Sequence, residues 1–340
     1  MKYLNLIAAV LCLVAVQVPL FADEEFFELC KSGSAEEIKT ALDSGASATA
    51  RSSEGLTPLM IAAKENKDPG VITMLIKAGA SVKERGEYGD TPLMFAAEYN
   101  HSAAVAEELI KNGASVKDKN RFSQTPLLSA AEKNESADVL SVLLKAGASM
   151  KDKNYDGSSA LILAARNNPS AEVIKLLLKS GASVKERIDV ISENYTVAPN
   201  GVVIECGTRE LKCKPGWTPL LLAAFKNKSP EVIQVLAGAG ASVNEFIDVT
   251  IVRHPEHGGS LREMFGDRGK KDNSWNEHLS PLMLAAANTS NPDVVSALLK
   301  AGADAKAKNR AGETAADMAK QNYDVYNTPA YWALKDALYK

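Results

Sequence analysis

The chain has 340 residues, 46% hydrophobic and 24% charged, the balance of an ordinary folded protein and not of a fibrous or low-complexity one. Its net charge of -3 supplies no overall basic field for phosphate or anionic lipid, so nucleic acid is not an expected partner. Four histidines, with no recoverable Ser/His/Asp or paired-carboxylate arrangement, give catalysis little to use: no catalytic residue, no enzymatic activity and no cofactor are expected.

The N-terminus opens with Lys2, an apolar run from Leu4 to Val16, then Pro19 and Leu20-Phe21-Ala22 before three acids. That order predicts a signal peptide over residues 1–22, cleaved after the small Ala22, and places the mature chain 23–340 in the periplasm or outside the cell. The alternative is a retained anchor helix, but Gln17 and Pro19 interrupt the run before a full span, so no membrane insertion is expected after cleavage. Cys12 is no convincing lipidation site, because Leu11 precedes it and the apolar run continues beyond it. Cleavage leaves Cys30, Cys206 and Cys213, and export permits a disulfide. Cys206 and Cys213, with six residues between them, read as a clasp, since a metal pair has two to four.

From residue 26 onward the sequence repeats itself. Thr57-Pro58-Leu59, Thr91-Pro92-Leu93, Thr125-Pro126-Leu127 and Ser159-Ala160-Leu161 recur every 34 residues, and the frame returns at Thr218, Ser280 and Thr314. Gly45, Gly79, Gly113, Gly147, Gly181, Gly240 and Gly302, each followed by Ala, keep step. Thr or Ser before Pro predicts an N-cap and a first helix starting at the proline. Small and apolar residues follow, with an Ala-Ala pair that lets helices approach closely. Asn66, Asn100, Asn134, Asn168 and Asn227 are expected to stop this helix in the left-handed conformation. Ser34, Asp68, Ser102, Ser136, Ser170, Ser229 and Asn291 are then expected to cap a second helix, which ends on the Gly. Cys30 falls at a small-residue position of the first unit's leading helix, where a buried, inert thiol is expected.

These markers, in this order and this often, resemble the ankyrin repeat family over nearly the whole mature chain. The resemblance implies a mainly α repeat solenoid of helix-turn-helix units with β-hairpin connectors. About eight units fit: an N-terminal one over residues 26–51, six full ones, and an irregular C-terminal one from Asn309, as expected of a cap. Two departures are visible. The period is 34 where the family has 33, and the family's common His after Thr-Pro-Leu is Met60, Met94, Leu128, Ile162, Leu221 or Met283.

Two connectors are lengthened. Gly181 and Gly240 lie 59 residues apart, and Gly240 and Gly302 lie 62 apart, so inserts sit at residues 187–214 and 245–278. The first alternates like a strand from Ile188, turns at Pro199-Asn200-Gly201 and alternates again to Cys206. Ile188-Asp189-Val190 and Ile247-Asp248-Val249 echo each other, which predicts two β-hairpin fingers pairing edge to edge. The second holds His254, His257 and His278 with Glu256 and Glu277. A metal-binding protein or metal-dependent hydrolase built on these is the alternative reading. Pro255 and the spacing of three rule out the helical H-E-x-x-H arrangement, and no metal is expected. Residues 266–271, Gly-Asp-Arg-Gly-Lys-Lys, read as a flexible basic turn, not a phosphate loop. Sequons at Asn134, Asn194, Asn227 and Asn288 carry no functional weight; the first and third arise from an Asn two before a capping Ser.

The family resemblance implies binding on a concave face made by connector tips and first-helix ends. In register, the tips include Tyr88, Phe122, Tyr155 and Trp217, and the helix ends include Tyr99 and Phe225. Only 6% of the chain is aromatic, so six aromatics at positions expected to face solvent point to protein-binding anchors. The expected object is a monomeric scaffold for another protein, whose identity the sequence does not carry.

Overall fold

The computed structural model describes residues 23–188, 196–197, 203–205, 216–252 and 274–339. The expected signal peptide, the two cysteines expected to form a clasp, His254, His257 and the sequon Asn194 lie outside the described residues. The chain divides into two compact units, Met1–Ser115 and Val116–Lys340.

Among the described residues, the first unit contains three helix pairs: α1 (Asp23–Ser32) with α2 (Ala35–Asp43), α3 (Pro58–Glu65) with α4 (Pro69–Lys77), and α5 (Pro92–Tyr99) with α6 (Ala103–Lys111). The described residues of the second contain five: α7 (Pro126–Lys133) with α8 (Ala137–Lys145), α9 (Ala160–Asn167) with α10 (Ala171–Lys179), α11 (Pro219–Lys226) with α12 (Pro230–Gly238), α13 (Pro281–Asn288) with α14 (Pro292–Lys300), and α15 (Ala315–Ala319) with α16 (Pro329–Tyr339). Within each unit leading helices stack on leading helices and second helices on second helices. Ala62-Ala63, Ala96-Ala97, Ala164-Ala165 and Ala223-Ala224 are buried where the leading helices meet, and Leu75, Leu109, Leu143 and Leu177 fill the layer below.

The leading helices after α1 start where a side chain caps them. The hydroxyls of Thr57, Thr91, Thr125, Ser159, Thr218 and Ser280 accept the backbone N–H three residues on. The residues standing where the family has His are buried, Met60, Met94, Leu128, Ile162, Leu221 and Met283 among them, so apolar packing replaces a polar turn contact. The Gly-Ala glycines take φ between 88° and 100°, as the helix stop requires.

The asparagines do something else. Asn66, Asn100, Asn134, Asn168 and Asn227 are extended at ψ between 120° and 138°, not left-handed. Asn66 donates its amide to the carbonyls of Cys30 and Gly33, Asn100 to Ala63 and Asn66, Asn168 to Ala131 and Asn134, and Asn227 to Ala165 and Asn168. Asn322 does the same with Ala286 and Thr289. Each amide thus satisfies two orphan carbonyls at the end of the preceding leading helix. Their Oδ1 atoms accept the backbone N–H of Asp68, Ser102, Ser136, Ser170 and Ser229. That tie fixes the entry to the second helix, and the hydroxyls of Ser102, Ser136 and Ser170 make no cap bond. Only Ser34, Asp68, Ser229 and Asn291 of the expected second-helix series cap with their side chains.

The ordinary connectors are tight turns closed by two backbone bonds, as from Gly86 N to Asp90 O with Gly89 N to Gly86 O, and from Asn154 N to Ser158 O with Gly157 N to Asn154 O. An arginine locks the first of them: Arg51 donates to Gly55 O at 2.7 Å and pairs with Glu84 at 2.5 Å. The first lengthened connector keeps this lock at its base. Arg187 donates to Gly216 O at 2.7 Å and pairs with Glu245 at 2.9 Å, while Ile188 and Trp217 form a bridge. Beyond it, β1 (Thr196–Val197), β2 (Val203–Glu205), β3 (Ile247–Val252) and β4 (Ser274–Leu279) form a four-stranded antiparallel sheet in that order. The two fingers join edge to edge, as expected, through β2 and β3, with Ile204 opposite Ile251; of the echoed stretches, residues 247–249 open β3, while Asp189 and Val190 lie outside the described residues. Ile188, Trp217, Ile247, Val249 and Leu279 are buried at the finger bases.

Candidate functional site

The six aromatics singled out from the sequence fall into three pairs. In the first unit Tyr88, on a connector tip, and Tyr99, at the end of α5, are exposed. Both line one open cleft of about 370 Å³. Buried Met94 and half-buried Leu56 and Phe95 give it an apolar lining. Glu54, Glu87, Asp90 and Glu98 surround that lining, and the Lys64 ammonium lies 5.5 Å from the Tyr99 ring centroid.

In the second unit Phe122 and Tyr155 are exposed on adjacent tips with ring centroids 6.0 Å apart, and the Tyr155 N–H donates to Phe122 O. Trp217 and Phe225 also meet, at 5.6 Å, but Trp217 is 3% exposed. The expectation that Trp217 faces solvent is therefore wrong. In a lengthened connector its position lies at the finger's base, not at a tip, and Phe225, itself half-buried, packs against it.

The second unit also holds a polar cluster that motif reading missed. Gln124 and Asn167 donate to the two carboxylate oxygens of Glu132 at 2.8 and 2.9 Å, and Arg166 stands 3.8 Å from both Glu132 and the buried Asp156. The Lys226 ammonium is pushed below the usual lysine range by desolvation and by the Arg166 charge. The signal was available in the register: Lys64, Glu98, Glu132, Arg166 and Phe225 occupy one equivalent position of successive leading helices. This position changes in charge and type from repeat to repeat while the core markers stay constant.

Among the described residues no group of three His, Cys, Asp or Glu side chains could hold a metal ion. His278, the one histidine of the alternative reading that is described, bonds Asp248 at 2.8 Å and stacks on Phe246 at 4.5 Å, and Arg310 binds the same Asp248 oxygen. Cys30 is fully buried and its thiol is pushed up to about 12 by desolvation, which keeps it protonated and unreactive at neutral pH. Of the sequon asparagines, Asn134 and Asn227 are buried in the repeat contacts. No helix among the described residues is long and apolar enough to cross a membrane.

Residues 26–120 and 103–188 match the family described as ankyrin repeats (3 copies), and residues 215–246 and 277–310 match the ankyrin repeat family. The unmatched stretches inside this span, 189–214 and 247–276, fall in the two inserts. No curated protein matches the chain. Among solved structures, the chain is similar to the human ASB11 ankyrin repeat domain at 23% identity and a TM-score of 0.55, over 83% of this chain and 98% of that one, a likeness of fold.

Proposed function

The chain belongs to the ankyrin repeat family, and on that premise we propose that it is an exported, non-enzymatic module that holds another protein with its connector tips, first-helix ends and two fingers. Ankyrin repeats are protein-interaction modules. The observation that carries the reading is the exposure of Tyr88, Tyr99, Phe122 and Tyr155 at tip and helix-end positions, while the apolar residues of the repeat core are buried. Large aromatics lose little conformational entropy when a partner covers them, so they are effective anchors. The concave placement rests on the family's usual use of these positions. Export rests on the leader sequence, and the fingers enter because they enlarge the surface without altering the stacked helices.

Affinity capture from an envelope extract with the mature chain, followed by mass spectrometry and a direct binding titration with the purified candidate, tests the proposal. A saturable partner whose affinity falls about tenfold when both Phe122 and Tyr155 become Ala agrees with it. A chain that retains no protein, or a partner indifferent to every tip aromatic, overturns it.

A further inference from the structure

The terminal helix of the second unit carries a surface that the repeat stack does not use. We propose that the outer face of α16 is a dimer contact, on which a second copy of this chain packs about a two-fold axis parallel to the helix, in place of the monomer expected from the sequence.

The last repeat of a stack needs a polar outer face, because no further repeat covers it. Other second helices meet water with charged or polar residues: Glu36 and Lys39 in α2, Glu172 and Lys175 in α10, Glu231 and Gln234 in α12. On α16 the exposed residues include Trp332 at 54% and Tyr339 at 84%, while Ala330, Tyr331 and Leu334 are buried. Seven residues make nearly two turns, so Trp332 and Tyr339 lie within about 20° of each other around the helix and about 10 Å apart along it. Tyr326, 42% exposed, adjoins this stripe: its ring and that of Trp332 both meet the Tyr331 ring edge-on, at 5.0 and 5.3 Å. Exposed Tyr and Trp grouped in this way have the composition of a protein interface.

Charge chooses the occupant. Lys335 and Asp336 stand about 50° to either side of the midline of the stripe. No ion pair links either of them to another described residue. When two copies of α16 pack side by side in the same direction, the two-fold sets Lys335 of each against Asp336 of the other, once on each flank, and Trp332 and Tyr339 meet their own counterparts along the seam. Packed in opposite directions, the same helices would set Lys335 on Lys335 and Asp336 on Asp336. The face is therefore complementary to itself in one orientation. Area sets the strength. At their exposures the three rings offer roughly 700 Å² over two copies before the flanking residues are counted, the low end of specific interfaces, so dissociation is expected at about tens of micromolar.

Sedimentation equilibrium of the mature chain from about 1 to about 300 μM tests the contact, and a reversible monomer–dimer equilibrium is expected. Trp332→Ala and Tyr339→Ala, both at exposed positions, should each raise the dissociation constant about tenfold or more. Lys335→Asp and Asp336→Lys should each raise it about fivefold or more by setting like charges together, and the double swap should restore it to within about twofold. Recovery in the double variant also shows that the single variants act at the contact and not on the fold. Phe122→Ala should leave the dimer unchanged. A chain that stays monomeric over the whole range overturns the proposal, as does a dimer indifferent to both aromatic variants or to the single charge reversals. A monomer that binds phosphatidylcholine–phosphatidylglycerol vesicles through Trp332 would assign the face to a membrane surface and end the proposal as well.

Discussion

Ser123 stands where neighbouring connectors have Gly55, Gly89 and Gly157, and like them it has positive φ, at 57° against their 73° to 85°. A side chain is strained there, so Ser123→Gly is expected to raise stability by up to about 1 kcal/mol in urea unfolding, the gain trimmed by glycine's larger unfolded-state entropy. Asn168 makes the opposite case. It is fully buried and holds Ala131 O, Asn134 O and Ser170 N, so Asn168→Ala leaves two acceptors and a donor without partners and should cost about 3 kcal/mol in the same assay. Glu186 supplies a pH test. Burial raises its pKa, partly offset by the Ser159 hydroxyl and by Lys153, so the folded chain holds this proton more tightly than the unfolded one. Its ionisation then costs stability as pH rises through the unfolded and then the folded pKa, and costs nothing below both. Glu186→Gln keeps an acceptor for Ser159, so it should unfold at a higher temperature than the parent at neutral pH and at the same temperature below pH ~4. What the sequence made legible at this scale was local: a Thr before Pro caps its own helix, and a Gly ends its own. The work of Asn66 or Asn168 was hidden because its acceptors lie 33 to 37 residues back in the chain.

Among the elements, the fingers are additions closed at their roots. Arg187 bonds Gly216 O as Arg51 bonds Gly55 O across an ordinary connector, so the chain leaves and rejoins the first finger with the short turn's geometry. Replacing residues 188–215 with the three residues that separate Arg51 from Gly55, and residues 246–277 with a comparable short turn, should keep the parent's helical circular dichroism and a cooperative melt. Loss of the helical signal would mean that the fingers help to fold the helices. Partner affinity in that shortened chain, once a partner is in hand, measures what the fingers add to binding. The sequence showed both inserts because they break the repeat spacing, and it showed their strands because alternation is a short-range pattern; the pairing itself runs through residues 203–205 and 250–252 and not through the echoed Ile188-Asp189-Val190. The sequence misplaced Trp217 because register alone cannot tell the tip of a connector from the base of a lengthened one. The cleft of the first unit was only half legible: Tyr88 and Tyr99 stood out by type, while Glu54, Glu87 and Lys64 join them only once adjacent turns are side by side.

At the scale of the molecule, each unit is stabilised by neighbours, since an isolated helix pair cannot bury its own apolar face. In the second unit α15 and α16 cover α13 and α14, where Leu282, Ala285 and Leu298 are buried. Deleting residues 314–340 should uncover that face, lower the unfolding midpoint of the second unit and raise the fluorescence of an apolar dye, and a truncated chain that binds no dye would argue that the terminal pair is dispensable. The cap is itself unusual in exposing Tyr323, Tyr326, Trp332 and Tyr339. The asparagine bonds also have a direction. Asn66, Asn100, Asn168, Asn227 and Asn322 each reach back to carbonyls made earlier on the ribosome. A nascent repeat therefore meets its acceptors already in place, whereas a chain growing from the other end would leave each asparagine waiting for them. The stack is wired to assemble in the order in which it is translated.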